Sequence, residues 1–222
     1  MSKRGQGALD LSADKKRALA LTPVSRETQK RLELFVGLLL SWQRRINLVS
    51  ASTLSQLWTR HVADSLQLID LAPQARVWVD FGSGGGFPGV PIACALAEEP
   101  GATVHLIESN GKKAAFLREA VRITKAPAKV HQERAEKYGE SCQETVHAVT
   151  ARALAPLKIL CDQAFPLIAR GAVGLFPKGQ DVDAELTDAA KYWSIEASKV
   201  PSKTSLSSCR GMNCSVKRCA NG

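Results

Sequence analysis

The spacing of apolar residues changes character once along this chain. From Ser25 to Ala72 apolar positions recur at helical intervals, with Leu32, Leu34, Phe35, Leu38, Leu39 and Trp42 crowding one broad face, as in a helix packed on a core. Asn47-Leu48-Val49-Ser50 ends that helix, and Ser52 stands where it can cap a second one carrying Leu54, Leu57, Trp58, His61, Val62, Leu66 and Ile69. Pro73 closes the segment. Residues 1–25 are polar and basic without a sustained period and read as a loose arm with a frayed first helix. From Val77 onward, short β-branched runs alternate with helical stretches. Strands are expected from Val77 and over residues 102–107, 128–131, 146–150, 172–176 and 193–199, with helices over 90–97, 112–124, 156–168 and 181–192. That alternation predicts an α/β fold with a mostly parallel, doubly wound sheet and an N-terminal helical layer. The division expected is 1–74 for the basic arm and helical extension, 75–201 for the Rossmann-like domain, and 202–222 for an atypical, disordered tail without strand alternation.

The stretch Val77-Trp78-Val79-Asp80-Phe81-Gly82-Ser83-Gly84-Gly85-Gly86-Phe87-Pro88-Gly89 organises the rest. A buried strand, a glycine turn and a helix form the first unit of a nucleotide-binding α/β fold. Alternate glycines permit left-handed φ values and let backbone amides approach a ligand with no Cβ in the way. The spacing Asp-x-Gly-x-Gly-x-Gly, with Asp80 two residues before Gly82, leans toward S-adenosylmethionine, whose cationic methionine end an acidic group beside the turn can meet. A dinucleotide site more often has an apolar residue there, and a glycine turn with no ligand is the bland alternative.

Composition adds a preference for polyanions. Lys and Arg number 30 against 21 Asp and Glu, a net charge of +9, which suits nucleic acid without specifying it. The longest apolar run, near residues 32–40, is interrupted by Glu33, so no membrane span is expected. Met1-Ser2-Lys3-Arg4-Gly5 lacks a signal core, so a cytoplasmic location is expected. Cys94, Cys142 and Cys161 fall inside expected elements and read as small apolar side chains. Cys209, Cys214 and Cys219 lie five residues apart without a histidine nearby; this is not the paired spacing of a zinc module, and no metal site is expected.

Further chemistry collects at the carboxyl ends of the strands, where open α/β sheets bind ligands. Glu108 ends the second strand and can accept hydrogen bonds from both ribose hydroxyls of an adenosine; an acidic helix cap is the alternative. Arg134-Ala135-Glu136 follows the third strand, where small Ala135 and its backbone amide can meet an adenine edge, though a solvated turn reads the same. Arg152 follows the fourth strand and needs a partner for its charge: Asp80, Glu108 or an RNA phosphate. Lys178-Gly179 adds a basic residue after the fifth. His61 admits reading as a base or as a structural partner of Asp64, three residues on.

Taken together, Trp42 with Asn47-Leu48, Arg60-His61-x-x-Asp64-Ser65, the turn Gly82 to Gly89, Glu108-Ser109 with Lys112-Lys113 and Phe116-Leu117, Arg152-Ala153 and Lys178-Gly179 resemble the RsmG (GidB) family. These are bacterial ribosomal RNA small-subunit methyltransferases, and the likeness runs from about Leu32 to about Lys199. The resemblance implies a class I methyltransferase moving a methyl group from S-adenosylmethionine to N7 of a guanine in the 530 loop of 16S rRNA. It implies cofactor contacts at Gly82, Phe87, Ala135, Glu136 and Arg152, beside Gly84 and Glu108 from the residue reading. Arg60, His61 and Lys178 become candidates for contact with RNA, and Arg152 is the one candidate near the chemistry. The expected partner is 16S rRNA or the small ribosomal subunit, bound by a monomer. Val146-His147 stands where the family commonly has an aspartate, and the apolar seventh strand of the family is missing from the reading of 202–222. Other readings are a methyltransferase of this fold acting on another substrate, a non-catalytic RNA- or nucleotide-binding relative, and an NAD-dependent dehydrogenase. Asp80 and the lack of a hydride-transfer acid disfavour the last.

Overall fold

Parallel strands β1 (Val77–Phe81), β2 (Thr103–Ile107), β3 (Ala128–His131), β4 (Ala148–Ala151) and β5 (Val173–Leu175) follow the β-branched runs of the sequence. The computed structural model describes residues 10–179, 181–204 and 210–218. With β6 (Trp193–Pro201) and β7 (Arg210–Arg218) the sheet has the order β3-β2-β1-β4-β5-β7-β6. The chain order reverses between β1 and β4, which opens a crevice beyond their carboxyl ends.

Both faces of the parallel strands are apolar, as burial on both sides requires. Because side chains alternate along a strand, Trp78, Val104 and Leu106 enter one core, and Val79, Phe81 and Ile107 enter the other. The first core is covered by α2 (Arg26–Gln43), α3 (Asp64–Leu71), α4 (Gly89–Ala95) and α5 (Gly111–Thr124), the second by α6 (Ala135–Ser141) and α7 (Leu157–Ile168). Fully buried Trp78, Phe35, Phe81 and Phe116 each contribute roughly 1.5–3 kcal/mol by leaving water. Ser25 caps α2, its hydroxyl accepting from the Thr28 amide at 3.1 Å, and Thr28, Leu32, Phe35, Val36 and Leu39 form the buried stripe. No described helix is long and apolar enough to cross a membrane. Cys94, Cys142 and Cys161 are buried free thiols.

Four local expectations change. The N-terminal arm contains a formed helix, α1 (Ser12–Leu21), whose Asp14 carboxylate accepts from the Trp58 amide at 2.7 Å. Ser52 does not cap a second helix; a 3-10 turn, Ala51–Gln56, and a π-helical turn, Trp58–Ala63, lead into α3, and the Ser52 hydroxyl bonds Ser50 instead. α6 forms where only a turn was legible, since seven residues give too little periodicity to show. The last correction concerns the tail. β7 pairs antiparallel with β6 from Trp193↔Arg218 to Pro201↔Arg210 and with β5 at Gly174↔Cys214 and Leu175↔Asn213, so Cys214 belongs to the sheet. The open edge of β5 supplies unpaired backbone donors and acceptors, and a ladder between main chains needs no alternating side chains. Cys209 and Cys219 lie outside the described residues. Leading into that segment, Ser202 and Thr204 hydroxyls both donate to Asp64, the former at 2.9 Å.

Candidate active site

The glycine turn occupies the mouth of the crevice. Gly82, Gly84 and Gly86 have φ of +64°, +51° and +88°, a region that strains any side chain. The Ser83 amide donates to the Ile107 carbonyl at 3.0 Å and its hydroxyl to the Asp80 carbonyl at 2.8 Å, so the turn is tied to both central strands. Asp80 lies on the same strand face as Trp78, which aims its carboxylate at α4. There it accepts from the Gly89 amide at 3.2 Å and from the Thr150 hydroxyl at 2.9 Å, 1% exposed. Complete burial pushes its carboxyl up to about 6 against those bonds. The period of the strand therefore makes Asp80 a support beneath the turn, away from the cavity wall where the sequence reading put it.

Glu108 does face the cavity. One carboxylate oxygen accepts from the Gly84 amide at 2.9 Å, the other from the Asn110 amide at 2.7 Å. Each oxygen keeps a further lone pair for a ligand hydroxyl. Asn110 caps α5 through the Lys112 and Lys113 amides, which fixes the direction of the Glu108 loop. Around these groups lies a cavity of about 250 Å³ whose lining includes Gly82, Gly84, Glu108, Ala135, Glu136 and Gln163, as well as Lys113, Arg134 and Leu154. Five sequence-expected positions thus meet: Gly82, Gly84, Glu108, Ala135 and Glu136. Gln163 was missed, because a lone glutamine inside an amphipathic helix carries no motif.

Phe87 and Arg152 lie elsewhere. The Phe87 ring is buried, packing edge-on against Phe35 with centroids 5.1 Å apart and against His61 at 5.0 Å. The Arg152 guanidinium sits 5.4 Å over that ring and donates to the His61 Nδ1 and, at 3.2 Å, to the Arg60 carbonyl. Receiving at Nδ1 leaves the proton on Nε2, which meets the Thr53 hydroxyl at 2.9 Å. Burial and the Arg152 and Arg60 charges push the His61 imidazole down to about 3. Its neighbours are thus Thr53, Arg152 and Phe87; Asp64 turns to Ser202, Thr204 and Gln67. Arg60 itself is exposed.

Lys178 is 9% exposed and donates to the Ala155 carbonyl and to Glu185, both at 2.7 Å. Glu185 also accepts from the Leu157 amide at 2.7 Å, so the pair holds the start of α7. A second cavity of about 440 Å³ is lined by Arg152, Pro156, Pro177 and Lys178 and shares Ala153 and Leu154 with the first. Leu154 overlies Gly82 so closely that a Cβ there would stand 2.6 Å from its Cδ1.

Comparison with known proteins gives the same direction. The family model described as rRNA small subunit methyltransferase G matches residues 28–212. A protein of Bradyrhizobium sp. strain BTAi1 named ribosomal RNA small subunit methyltransferase G is 61% identical over 194 residues, 87% of each chain. One of the same name from Nitrobacter hamburgensis is 59% identical over 193 residues, 87% of this chain and 74% of its own. Among solved structures, an O-methyltransferase from Bacillus cereus in complex with SAH superposes with a TM-score of 0.57 at 12% identity, covering 93% of this chain and 98% of that one. A putative O-methyltransferase from Klebsiella pneumoniae gives 0.56 at 14% identity, covering 95% and 98%. At such identities the likeness is one of fold.

Proposed function

The chain belongs to the rRNA small subunit methyltransferase G family, and from that membership we propose that it methylates N7 of one guanine in the 530 loop of 16S rRNA, as a cytoplasmic monomer. Its cofactor is S-adenosylmethionine. The observation that carries the reading is the convergence of Gly82, Gly84, Glu108, Ala135 and Glu136 on one cavity at the switch point of the sheet. The residues fit that cofactor. A Cβ on Gly84 would meet only the Gly82 carbonyl at 3.5 Å and Glu108 Oε2 at 4.0 Å, so it would stand in open space on a residue that lines the cavity. Glu108, anchored by two backbone amides, has the lone pairs that a ribose diol requires.

When bound, S-adenosylmethionine supplies a methyl group on a cationic sulfur. Guanine N7 presents a lone pair without a proton, so the chain has no base to provide; its task is to align the nitrogen with the methyl and balance the charge. The state of His61 agrees with this, since both its ring nitrogens are engaged and its protonation is suppressed. The second cavity adjoins the first, with Ala153 and Leu154 lining both, and we assign it to the acceptor base. Arg152 lines it, so a role near the acceptor suits this residue better than cofactor contact. A guanine there would approach past Lys178, whose ammonium Glu185 already holds. Arg60, Arg44 and Arg45 are exposed, and the loop after Arg45 abuts the glycine turn, a Cβ on Gly85 meeting the Leu48 carbonyl at 2.7 Å. Such residues hold phosphates and set register without reading sequence.

Radiolabelled methyl transfer to small ribosomal subunits from a strain lacking N7 methylation, followed by mapping, tests the proposal. One methyl at N7 of the 530-loop guanine is expected. Transfer to any other position, or none from a protein that binds the cofactor, refutes it.

A further inference from the structure

Gln163 is an amide in an otherwise apolar stripe. On α7, Leu157, Leu160, Cys161, Ala164 and Leu167 are buried with it, and Gln163 is 8% exposed. α6 crosses α7 at Gly139, where an added Cβ would stand 2.7 Å from the Gln163 carbonyl. That close crossing, possible only with glycine, brings Glu136 to Gln163, whose Nε2 donates to Glu136 Oε1 at 2.8 Å. A carboxylate accepts only from the nitrogen side of an amide, so the orientation of Gln163 is determined. Its Oε1 is then left buried without a hydrogen-bond partner, on a residue that lines the cavity with Glu108 and Ala135. A buried acceptor left unpaired is costly, and its presence on a ligand site indicates that a ligand donor completes it.

We propose that Gln163 Oε1 accepts a hydrogen bond from the exocyclic 6-amino group of the cofactor's adenine, so that Gln163 selects a 6-aminopurine over a 6-oxopurine. This rests on the assignment of the cavity to S-adenosylmethionine. Glu108 would take the ribose; Glu136 and the Oε1 of Gln163 present acceptors to the base, beside the one N–H of Gln163 that Glu136 leaves free. A 6-oxo group would set oxygen against oxygen and leave Oε1 unpaired. Sites built to bond a polar group discriminate strongly against analogues lacking it.

Calorimetry of the wild-type protein with S-adenosylhomocysteine and S-inosylhomocysteine tests the idea. The adenosyl compound is expected to bind about ten- to hundredfold tighter. In Gln163→Met the two are expected within about twofold of each other, through weaker binding of the adenosyl compound. Gln163→Asn keeps an amide but withdraws it by one methylene, so it reports the same loss if the methionine variant does not fold. Equal binding of both compounds by the wild type, or the full ratio retained in either variant, overturns the proposal while leaving the cofactor assignment intact. Failure of both compounds to bind the wild type overturns the cofactor assignment and this proposal together.

Discussion

Glutamine in place of Glu108 is ordinarily a mild change, and here it is not. Both carboxylate oxygens are acceptors in use, from Gly84 at 2.9 Å and Asn110 at 2.7 Å. Whichever way the amide of Glu108→Gln lies, its NH2 faces a backbone N–H at that distance, so one bond is lost and two donors oppose each other. A hydrogen bond to a charged group is worth about 1.5–3 kcal/mol. Counting the stranded amide, the variant should lose about 2–3 kcal/mol of stability, lowering Tm by roughly 5–10 °C in a chain of this size. The same oxygens have lone pairs left, which the proposed cofactor site assigns to the ribose. Loss of one charged acceptor should weaken S-adenosylhomocysteine about ten- to hundredfold beyond any effect on folding. Calorimetry at a temperature where both proteins are folded, with a thermal melt alongside, measures the two effects separately. Affinity within twofold of wild type would refute the role of Glu108 as a ligand acceptor; an unchanged Tm would refute its role in tying the two loops.

Gly84→Val should fold but fail to bind S-adenosylhomocysteine in calorimetry. A β-branched residue at φ +51° costs about 1–2 kcal/mol, and its methyls would extend toward Glu108 into the cavity. Gly89→Ala should do the reverse, damaging the fold first. Its Cβ would stand 2.3 Å from Leu106 Cδ2 and 2.7 Å from Asp80 Oδ2, and overpacking of this kind costs about 1–3 kcal/mol or more, read as a lower urea midpoint. His61 should show no ring titration by NMR from pH 8 to pH 5, since its folded pKa is about 3. An unfolded histidine takes its proton near pH 6.5, so below that value the unfolded chain binds more protons and this residue's contribution to stability falls as pH falls. Asp80, raised to about 6 from 3.8, works with the opposite sign between those values. A His61 titration near 6.5 would show that the ring is not held buried beside Arg152 in solution.

Much of this molecule is legible in one dimension because its determinants are local. A strand buried on both faces needs a β-branched run, a turn at positive φ needs glycine, and the end of β2 needs only its neighbours in sequence to put Glu108 at the carboxyl edge. The alternation of strands and helices, the glycine turn and Glu108 therefore follow from the residues, and with the basic balance and the ordered motifs they lead to the family. What only the tertiary structure decided depends on contacts between distant segments. The pleat of β1 sends Asp80 under the turn, against Thr150 from β4. Packing of α2 and the π-helical turn around Phe87 draws Arg152 and His61 into a cluster away from the Glu108 cavity. The open edge of β5 recruits residues 210–218 into a strand that their own side chains do not announce. A close helix crossing at Gly139 carries Gln163 to the cavity, where its unpaired oxygen acquires a meaning that no neighbour in sequence could give it.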